Sequence, residues 1–181
     1  MISDIKIFLF FCFILFSCEN DIKKVSSFQN PANMPYQRLK NVKIYYSDSA
    51  ELKTIIQAPL IDRYSGENTK SIMSKGFKAN LYNPDKSIRS QISAKYATYY
   101  DDKKRMEAKN NVIVENLETG EKLNTEELIW DERNALIYSD KFVKIRTKDE
   151  ILYGDGFESD ENFDKWKIKK PKGSFPINKN K

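Results

Sequence analysis

Residues 105–116 read RMEAKNNVIVEN, a stretch in which apolar and polar side chains alternate. In an extended chain, Met106, Ala108, Val112 and Val114 fall on one face and most of the charged residues fall on the other. Ile113 is shared with the polar face. This period of two is typical of a β-strand that buries one of its faces.

The alternation extends over most of the chain from about Tyr36 onward, whereas helical spacing is scarce. Residues 142–147 alternate in the same way, with Val143 and Ile145 on the apolar face. Turn signals such as Thr119-Gly120 separate the alternating segments at short intervals. Many short strands joined by turns predict an all-β, antiparallel domain.

The apolar residues also form a repeat of four landmarks: one residue, a second five positions later, then a pair two apart. The second and third copies are offset by 31 residues at all four landmarks. The copies are Ile56, Ile61, Phe77 and Ala79; Ile92, Ala97, Val112 and Val114; Leu123, Leu128, Val143 and Ile145; and a half-copy, Leu152 and Phe157. Repetition of this kind indicates stacked copies of one structural unit.

The gap of five residues has a geometric consequence. In a flat strand, residues five apart point to opposite faces, so the chain must bend if both face one interior. We therefore expect a bend or bulge within 93–96, 124–127 and 153–156. The units then form an elongated, open antiparallel β-jellyroll of bent strands, with an apolar inner face and free strand edges at its two ends.

The N-terminal segment predicts export and a lipid anchor. Residues 7–16 read IFLFFCFILF, which spans about 15 Å as a helix, roughly half the thickness of a bilayer core. The stretch LFSC at 15–18 resembles a bacterial lipobox. We therefore expect a signal peptide at 1–17, lipid attachment at Cys18 and a flexible tether at 18–38. An ordinary secretory signal with an incidental Cys is the alternative.

The composition excludes several kinds of site. The 181 residues include no His, and the two Cys both lie within the first 18 positions. His-dependent triads, Cys–His dyads and metal sites with His ligands are therefore excluded, and we expect no metal or other cofactor. Carboxylate pairs such as Asp101-Asp102 could serve an enzyme of the glycosidase type, but they are better explained as turn residues, and we expect no catalytic site.

The positive charge is concentrated at the C-terminus. The net charge is +5, and the last 17 residues hold seven Lys and no acidic residue. We expect residues 169–181 to form a basic tail that is solvated, with contact to anionic phosphates of lipid headgroups or a glycolipid as the alternative. No nucleic-acid-binding motif accompanies the tail, so no nucleic-acid partner is expected.

Several stretches together resemble the LptC family, the membrane-anchored periplasmic component of lipopolysaccharide export, and its soluble relatives LptA and OstA. The likeness covers roughly residues 40–168, and we expect the family's β-jellyroll at 39–168. The stretches are MEA at 106–108, NVIV at 111–114, LNTEELIWD at 123–131, IYSD at 137–140, VKI at 143–145 and YGDGFES at 153–159.

The resemblance implies an open β-jellyroll with a V-shaped apolar groove and a passive, non-enzymatic role in lipopolysaccharide transport. The implied partners are lipopolysaccharide, an inner-membrane ABC transporter that supplies it and an LptA-like periplasmic bridge protein that receives it. Many members have an uncleaved transmembrane helix, whereas this chain is expected to use a lipid on Cys18. The implied location is the periplasmic side of the inner membrane, with the outer membrane as an alternative because Glu19 does not dictate sorting.

We expect the inner apolar residues to line the lipid groove. The alternation and the constant offset place them on one face as successive rungs. They are Ile92, Met106, Val112, Val114, Leu128, Trp130, Ile137, Val143 and Ile145. A structural or adhesive cell-envelope lipoprotein, in which the same residues fill a closed β core, is the alternative.

Overall fold

The computed structural model describes residues 34–66, 69–161 and 163–177. Within these ranges the chain forms one antiparallel sheet of eleven strands and no helix, which confirms the predicted all-β, jellyroll-like class. The strands are β1 (Gln37–Asp48), β2 (Glu51–Tyr64), β3 (Lys70–Met73), β4 (Phe77–Tyr82), β5 (Ile88–Ala94), β6 (Tyr96–Tyr100), β7 (Arg105–Asn116), β8 (Lys122–Asp131), β9 (Leu136–Arg146), β10 (Glu150–Asp160) and β11 (Trp166–Pro176).

The sheet has two halves that share its long strands. β2 pairs with β4 through residues 54–57 and with β3 through residues 62–64. In the same way, β7 pairs with β5 through residues 113–116 and with β6 through residues 105–109. We call the two parts the β5 half, which contains β4 and β5, and the β6 half, which contains β3 and β6. From β7 to β11, consecutive strands are neighbours and each contributes to both halves.

The long strands bend where the two halves meet. Lys95 separates β5 from β6, and its backbone N–H donates to the carbonyl of Asn110, 3.0 Å away. Asn110 and Asn111 adopt left-handed backbone angles, with φ of 64° and 55°, which Asn tolerates better than most residues. The β7–β8 register shifts between Lys109 and Val112 as a result. The first of the three predicted bends, within 93–96, is therefore confirmed.

The other two predicted bends are also confirmed. The β8–β9 register shifts between Thr125 and Ile129, which overlaps the predicted stretch 124–127. The β9–β10 register shifts between Asp155 and Phe157, around Gly156 with its φ of 78°. Because Gly lacks a Cβ, it adopts this conformation without steric cost.

Buried hydroxyl groups satisfy the backbone at the bend. The Thr125 hydroxyl lies 2.9 Å from the carbonyl oxygen of Phe142, to which it donates, and 3.3 Å from the Ser139 hydroxyl. Thr125 and Ser139 are both buried. Since the regular ladder is interrupted here, these side chains replace hydrogen bonds that neighbouring strands would otherwise supply.

Within the described residues, β1 and β11 each pair on one side only, so they form the two ends of the sheet. β1 is fastened to β2 by Arg38, whose guanidinium donates to both carboxylate oxygens of Asp62 at 2.6 and 3.0 Å. This bidentate pair lowers the pKa of the Asp62 carboxyl. The β1 end is therefore held by a side-chain ion pair in addition to its backbone ladder.

The limits of the sheet differ from the predicted domain limits of 39 and 168. β1 begins at Gln37, and β11 continues to Pro176, so residues 169–176 of the predicted tail belong to a strand. Residues 170–176 are in a strand because their backbone pairs with β10, although their side chains remain exposed. The predicted signal peptide at 1–17, Cys18 and residues 18–33 of the predicted tether lie outside the described residues.

Gly154 and Gly173 provide a matched test of the β10–β11 packing. A Cβ on Gly154 would meet the Ile168 side chain and would lie 2.6 Å from the carbonyl oxygen of Lys170. A Cβ on Gly173 would have nothing within 4 Å. We expect Gly154→Ala to lower the free energy of unfolding by about 2 kcal/mol because the two strands must separate. Gly173→Ala should change it by no more than about 0.5 kcal/mol.

Urea unfolding followed by circular dichroism measures both effects. Equal midpoints for the two variants would contradict the tight β10–β11 approach at Gly154.

Candidate functional site

The predicted lining residues belong to one apolar cluster between the two halves of the sheet. Seven of the nine are buried, with side-chain exposures from 0% at Val143 to 8% at Met106. Ile92 and Trp130 are half-buried and pack against the same cluster. The structure therefore brings all nine together, and their role in lipid binding stays a prediction.

The strand register arranges the interior as rows that cross the strands. In the β5 half, Val114 is paired with Ile92 on one side and with Leu123 on the other. Continued across the neighbouring strands, these pairs form what we call the first row. It consists of Ile44, Ile56, Ala79, Ile92, Val114, Leu123, Ile145 and Leu152. An apolar path thus runs from β1 to β10.

A second row crosses the β6 half. Met106 is paired with Trp130, and Trp130 with Ile137. The row consists of Tyr99, Met106, Trp130, Ile137, Ser159 and Trp166. Val112, Val143 and Leu128, the remaining predicted residues, lie nearer to the bend. We call the two rows and these three residues together the apolar interior.

One end of the apolar interior is filled by Phe163, from the connection between β10 and β11. Phe163 is 6% exposed, although it has a left-handed φ of 57°, an unfavourable conformation for an aromatic residue. It borders a void of about 30 Å³ together with Val114, Leu123 and Ile145, all from the β5 half. Such a void holds about one water molecule, so the two halves are nearly in contact here.

Polar contacts join the halves at the same end. The Trp166 indole N–H donates to Glu121 Oε2 at 3.3 Å, and Arg89 lies 4.0 Å from a carboxylate oxygen of Asp164. Trp166 also stacks on Phe157, with 6.4 Å between ring centroids. These contacts link the turn after β7 and strand β5 to the start of β11. They hold the mouth of the interior closed without a continuous backbone ladder.

Two further polar contacts lie at the rim of the β6 half. The Trp130 indole N–H donates to Glu161 at 2.6 Å, and the Tyr99 hydroxyl donates to Glu132 at 2.9 Å. Burial, together with this hydrogen bond, raises the pKa of Tyr99 far above its ordinary value, so the hydroxyl stays protonated. Tyr99 and Trp130 of the second row therefore direct apolar surface toward the interior, and their polar groups form hydrogen bonds at the rim.

The interior opens to solvent beside β11. A depression of about 400 Å³ is lined by Leu152, Trp166, Ile168 and Pro171, which continue the apolar surface past the end of the first row. The apolar lining of this depression could accept a short stretch of hydrocarbon, which is favourable by roughly 0.8 kcal/mol for each CH₂ removed from water.

The described residues offer little for other chemistry. No group of three or more His, Cys, Asp or Glu among them could hold a metal ion. The carboxylate of Asp155 on β10 forms an ion pair with Lys172 at 2.7 Å. Within the described ranges there is also no helix with the length and apolarity needed to cross a bilayer.

Sequence reasoning missed several residues of the interior. Leu123 and Phe157 were landmarks of the repeat, so the repeat itself could have added them. Leu152 was also a landmark. Phe163 and Trp166 had no such signal, because they lie in a polar and charged stretch and enter the interior through the conformation of the β10–β11 connection.

Comparison with known proteins identifies one family. The family sequence model described as "Lipopolysaccharide-assembly, LptC-related" matches residues 5–170 of the chain. No curated protein matches the chain.

Burial at the first row leads to a stability prediction. Val114 is 4% exposed, so Val114→Asp places a carboxylate inside the apolar interior. We expect a loss of about 4 kcal/mol in the free energy of unfolding, because an unpaired buried charge is among the most costly substitutions. Leu117→Asp is the control, since Leu117 is 46% exposed and should tolerate the change.

Thermal unfolding of both variants is the measurement. If Val114→Asp melts at the temperature of Leu117→Asp, the interior at this position is hydrated rather than filled.

Proposed function

The chain belongs to the LptC family, and from this premise we propose that its apolar interior carries the acyl chains of lipopolysaccharide. Family membership implies a role in lipopolysaccharide transport, and the family is a non-enzymatic, periplasmic component associated with the inner membrane. The observation that carries the proposal is the first row, an unbroken series of apolar residues from β1 to β10.

The rows suit a passive conduit. An acyl chain lying across the strands meets the same kind of surface at each step, so no position along the row holds it much more tightly than the next. Each buried CH₂ contributes about 0.8 kcal/mol, which keeps the chain out of water without any covalent step. In this proposal the hydrocarbon slides along the row from one end of the sheet to the other.

Entry requires the two halves to separate. Facing side chains of the interior cover one another, so an acyl chain must displace contacts between the halves. At the β11 end these contacts are the Phe163 side chain, the Trp166–Glu121 hydrogen bond and the Arg89–Asp164 pair. The two polar contacts are partly buried and few in number, so separation at this end mainly requires Phe163 to leave its buried position.

The free ends of the sheet suit transfer between neighbours. β1 and β11 each have an edge without a partner among the described residues, and such edges can add a strand from another protein. We propose that the β1 end meets the inner-membrane ABC transporter that supplies lipopolysaccharide. The β11 end would then meet an LptA-like bridge protein that receives it.

A structural or adhesive envelope lipoprotein remains the second candidate. It is favoured by the low exposure of the interior residues, since Val112 and Val143 are 1% and 0% exposed, as in a filled core. The two candidates differ in whether hydrocarbon ever reaches these positions.

Photocrosslinking distinguishes them. A photoreactive amino acid at Val114 faces the interior, whereas the same probe at Glu115, the next residue on β7, faces outward. We expect lipopolysaccharide to crosslink at Val114 and not at Glu115 in cells that synthesise it. A folded protein that gives no lipid adduct at Val114 or at Ile145 would instead support the structural lipoprotein.

The membrane anchor is a separate part of the proposal. The lipobox-like LFSC at 15–18 supports cleavage before Cys18 and lipid attachment to its sulfur. Two or three acyl chains would hold the protein stably at a membrane, where a single chain would not. We expect mass spectrometry of membrane-extracted protein to find Cys18 as an acylated N-terminus.

Cys18→Ser is the control, because it keeps the apolar segment and removes only the sulfur. Detection of an intact Met1, or of an unmodified Cys18, in the native protein would contradict the lipid anchor.

A further inference from the structure

Two buried serine hydroxyls have no hydrogen-bond partner among the described residues. They belong to Ser90, which is 0% exposed, and Ser159, which is 3% exposed. A buried hydroxyl without a partner is uncommon, because burial removes its hydrogen bonds to water at a cost in free energy. The fold itself therefore gains nothing from these two hydroxyls.

Both side chains project from the inner face of the sheet. Ser90 is two residues before Ile92 on β5, so it shares the face on which Ile92 joins the first row. Ser159 belongs to the second row, where its register partners are Ile137 and Trp166. Each hydroxyl thus lies beside apolar surface that we propose acyl chains to contact.

The two serines lie on opposite halves of the sheet at the same mouth. Ser159 is paired with Trp166, whose indole N–H donates to Glu121. Ser90 is paired with Asn116, whose backbone N–H donates to the carbonyl oxygen of Glu121 at 2.9 Å. Each serine therefore neighbours one side of the Trp166–Glu121 contact, where the halves separate in the proposed function.

Ser139 shows how a buried serine serves the fold itself. It is also 0% exposed, but its Oγ accepts a hydrogen bond from the Lys141 backbone N–H at 3.1 Å and lies 3.3 Å from the Thr125 hydroxyl. Its hydroxyl replaces ladder hydrogen bonds at the bend, whereas those of Ser90 and Ser159 replace none.

We propose that Ser90 and Ser159 bind the hydroxyl of an acyl chain that is hydroxylated near its head, and so select such chains over unsubstituted ones. This inference rests on the proposed function, because it requires the halves to open and hydrocarbon to enter. A serine hydroxyl offers one donor and two acceptor sites, and a second hydroxyl can satisfy both kinds at once. The ester carbonyl of an ordinary phospholipid can only accept.

The location at the mouth sets where the chain must be hydroxylated. The head of the lipid is polar and stays in water outside the mouth, so the carbons nearest to it lie level with the two serines. A hydroxyl at the far end of the chain would instead reach apolar residues near the bend, such as Val143, which is 0% exposed.

Thermal unfolding of the full chain in lipid nanodiscs separates a binding role from a structural one. Ser90→Ala and Ser159→Ala each remove a hydroxyl without a partner, so we expect the melting temperature to stay the same or rise. Ser139→Ala is the matched control and should lower it by about 3 °C, because its partners lose their hydrogen bonds. A loss at Ser90 or Ser159 as large as that at Ser139 would overturn the inference.

Competition for photocrosslinking measures the selectivity. The same nanodiscs are incubated with a photoreactive tetradecanoic acid, and unlabelled acids compete for the adduct. The advantage of 3-hydroxytetradecanoic acid over tetradecanoic acid is the ratio of their half-inhibiting concentrations. We expect this advantage to fall by about fivefold when Ser90→Ala and Ser159→Ala are combined. Partition of the acids into the bilayer is the same for both chains and cancels.

A tetradecanoic acid hydroxylated at its far end is the control ligand, and its competition should not change in the double variant. If the double variant does not melt cooperatively, the two single variants replace it, and each should lose part of the advantage.

Three results would overturn the inference. If the photoreactive acid labels both chains and the double variant keeps the native advantage, the serines do not recognise the hydroxyl, although the proposed function stands. An equal fall for the acid hydroxylated at its far end would place recognition elsewhere. If the acid labels neither chain, hydrocarbon does not enter the interior, and the proposed function fails as well.

Discussion

The bend shared by the long strands is the constraint on which the rest of this structure depends. A flat strand cannot direct residues five apart, such as Ile92 and Ala97, toward one interior. The chain solves this by interrupting β5 and β6 at Lys95, by two left-handed Asn residues in β7 and by Gly156 in β10. Because these interruptions lie side by side, one sheet folds over on itself and covers its own apolar face.

The same constraint produces an interior that runs across the strands. The long strands contribute side chains to both halves, and the ladder aligns them into rows. A conventional β-sandwich closes such an interior with separate sheets, whereas here the strands themselves pass from one half to the other. In the proposed function, the two halves would separate at their tips while the bend keeps them joined, and this separation would admit hydrocarbon.

The inner and outer faces of the last strands have different chemistry. Toward the interior, β10 presents Leu152 and Phe157, and toward solvent it presents Tyr153, whose ring centre lies 5.9 Å from Lys144 Nζ. The period of two in the sequence makes both faces possible in one strand. In the proposed function the inner face handles acyl chains, while the outer face of the same strands is exposed to solvent.

The sequence by itself determined the strand class, the inward residues and the need for bends, because alternation and the offset of 31 are properties of the chain alone. It predicted Val114 and Ile145 as inner residues, and their burial follows. Only the tertiary structure decided which inward residues are neighbours, since the shifts of register at the bends set those pairs. No local sequence signal predicts that Phe163 enters the interior, because the conformation of the β10–β11 connection brings it there. The same holds for the contacts of Tyr153 with Phe142 and Phe175, because strand pairing alone brings these distant residues together.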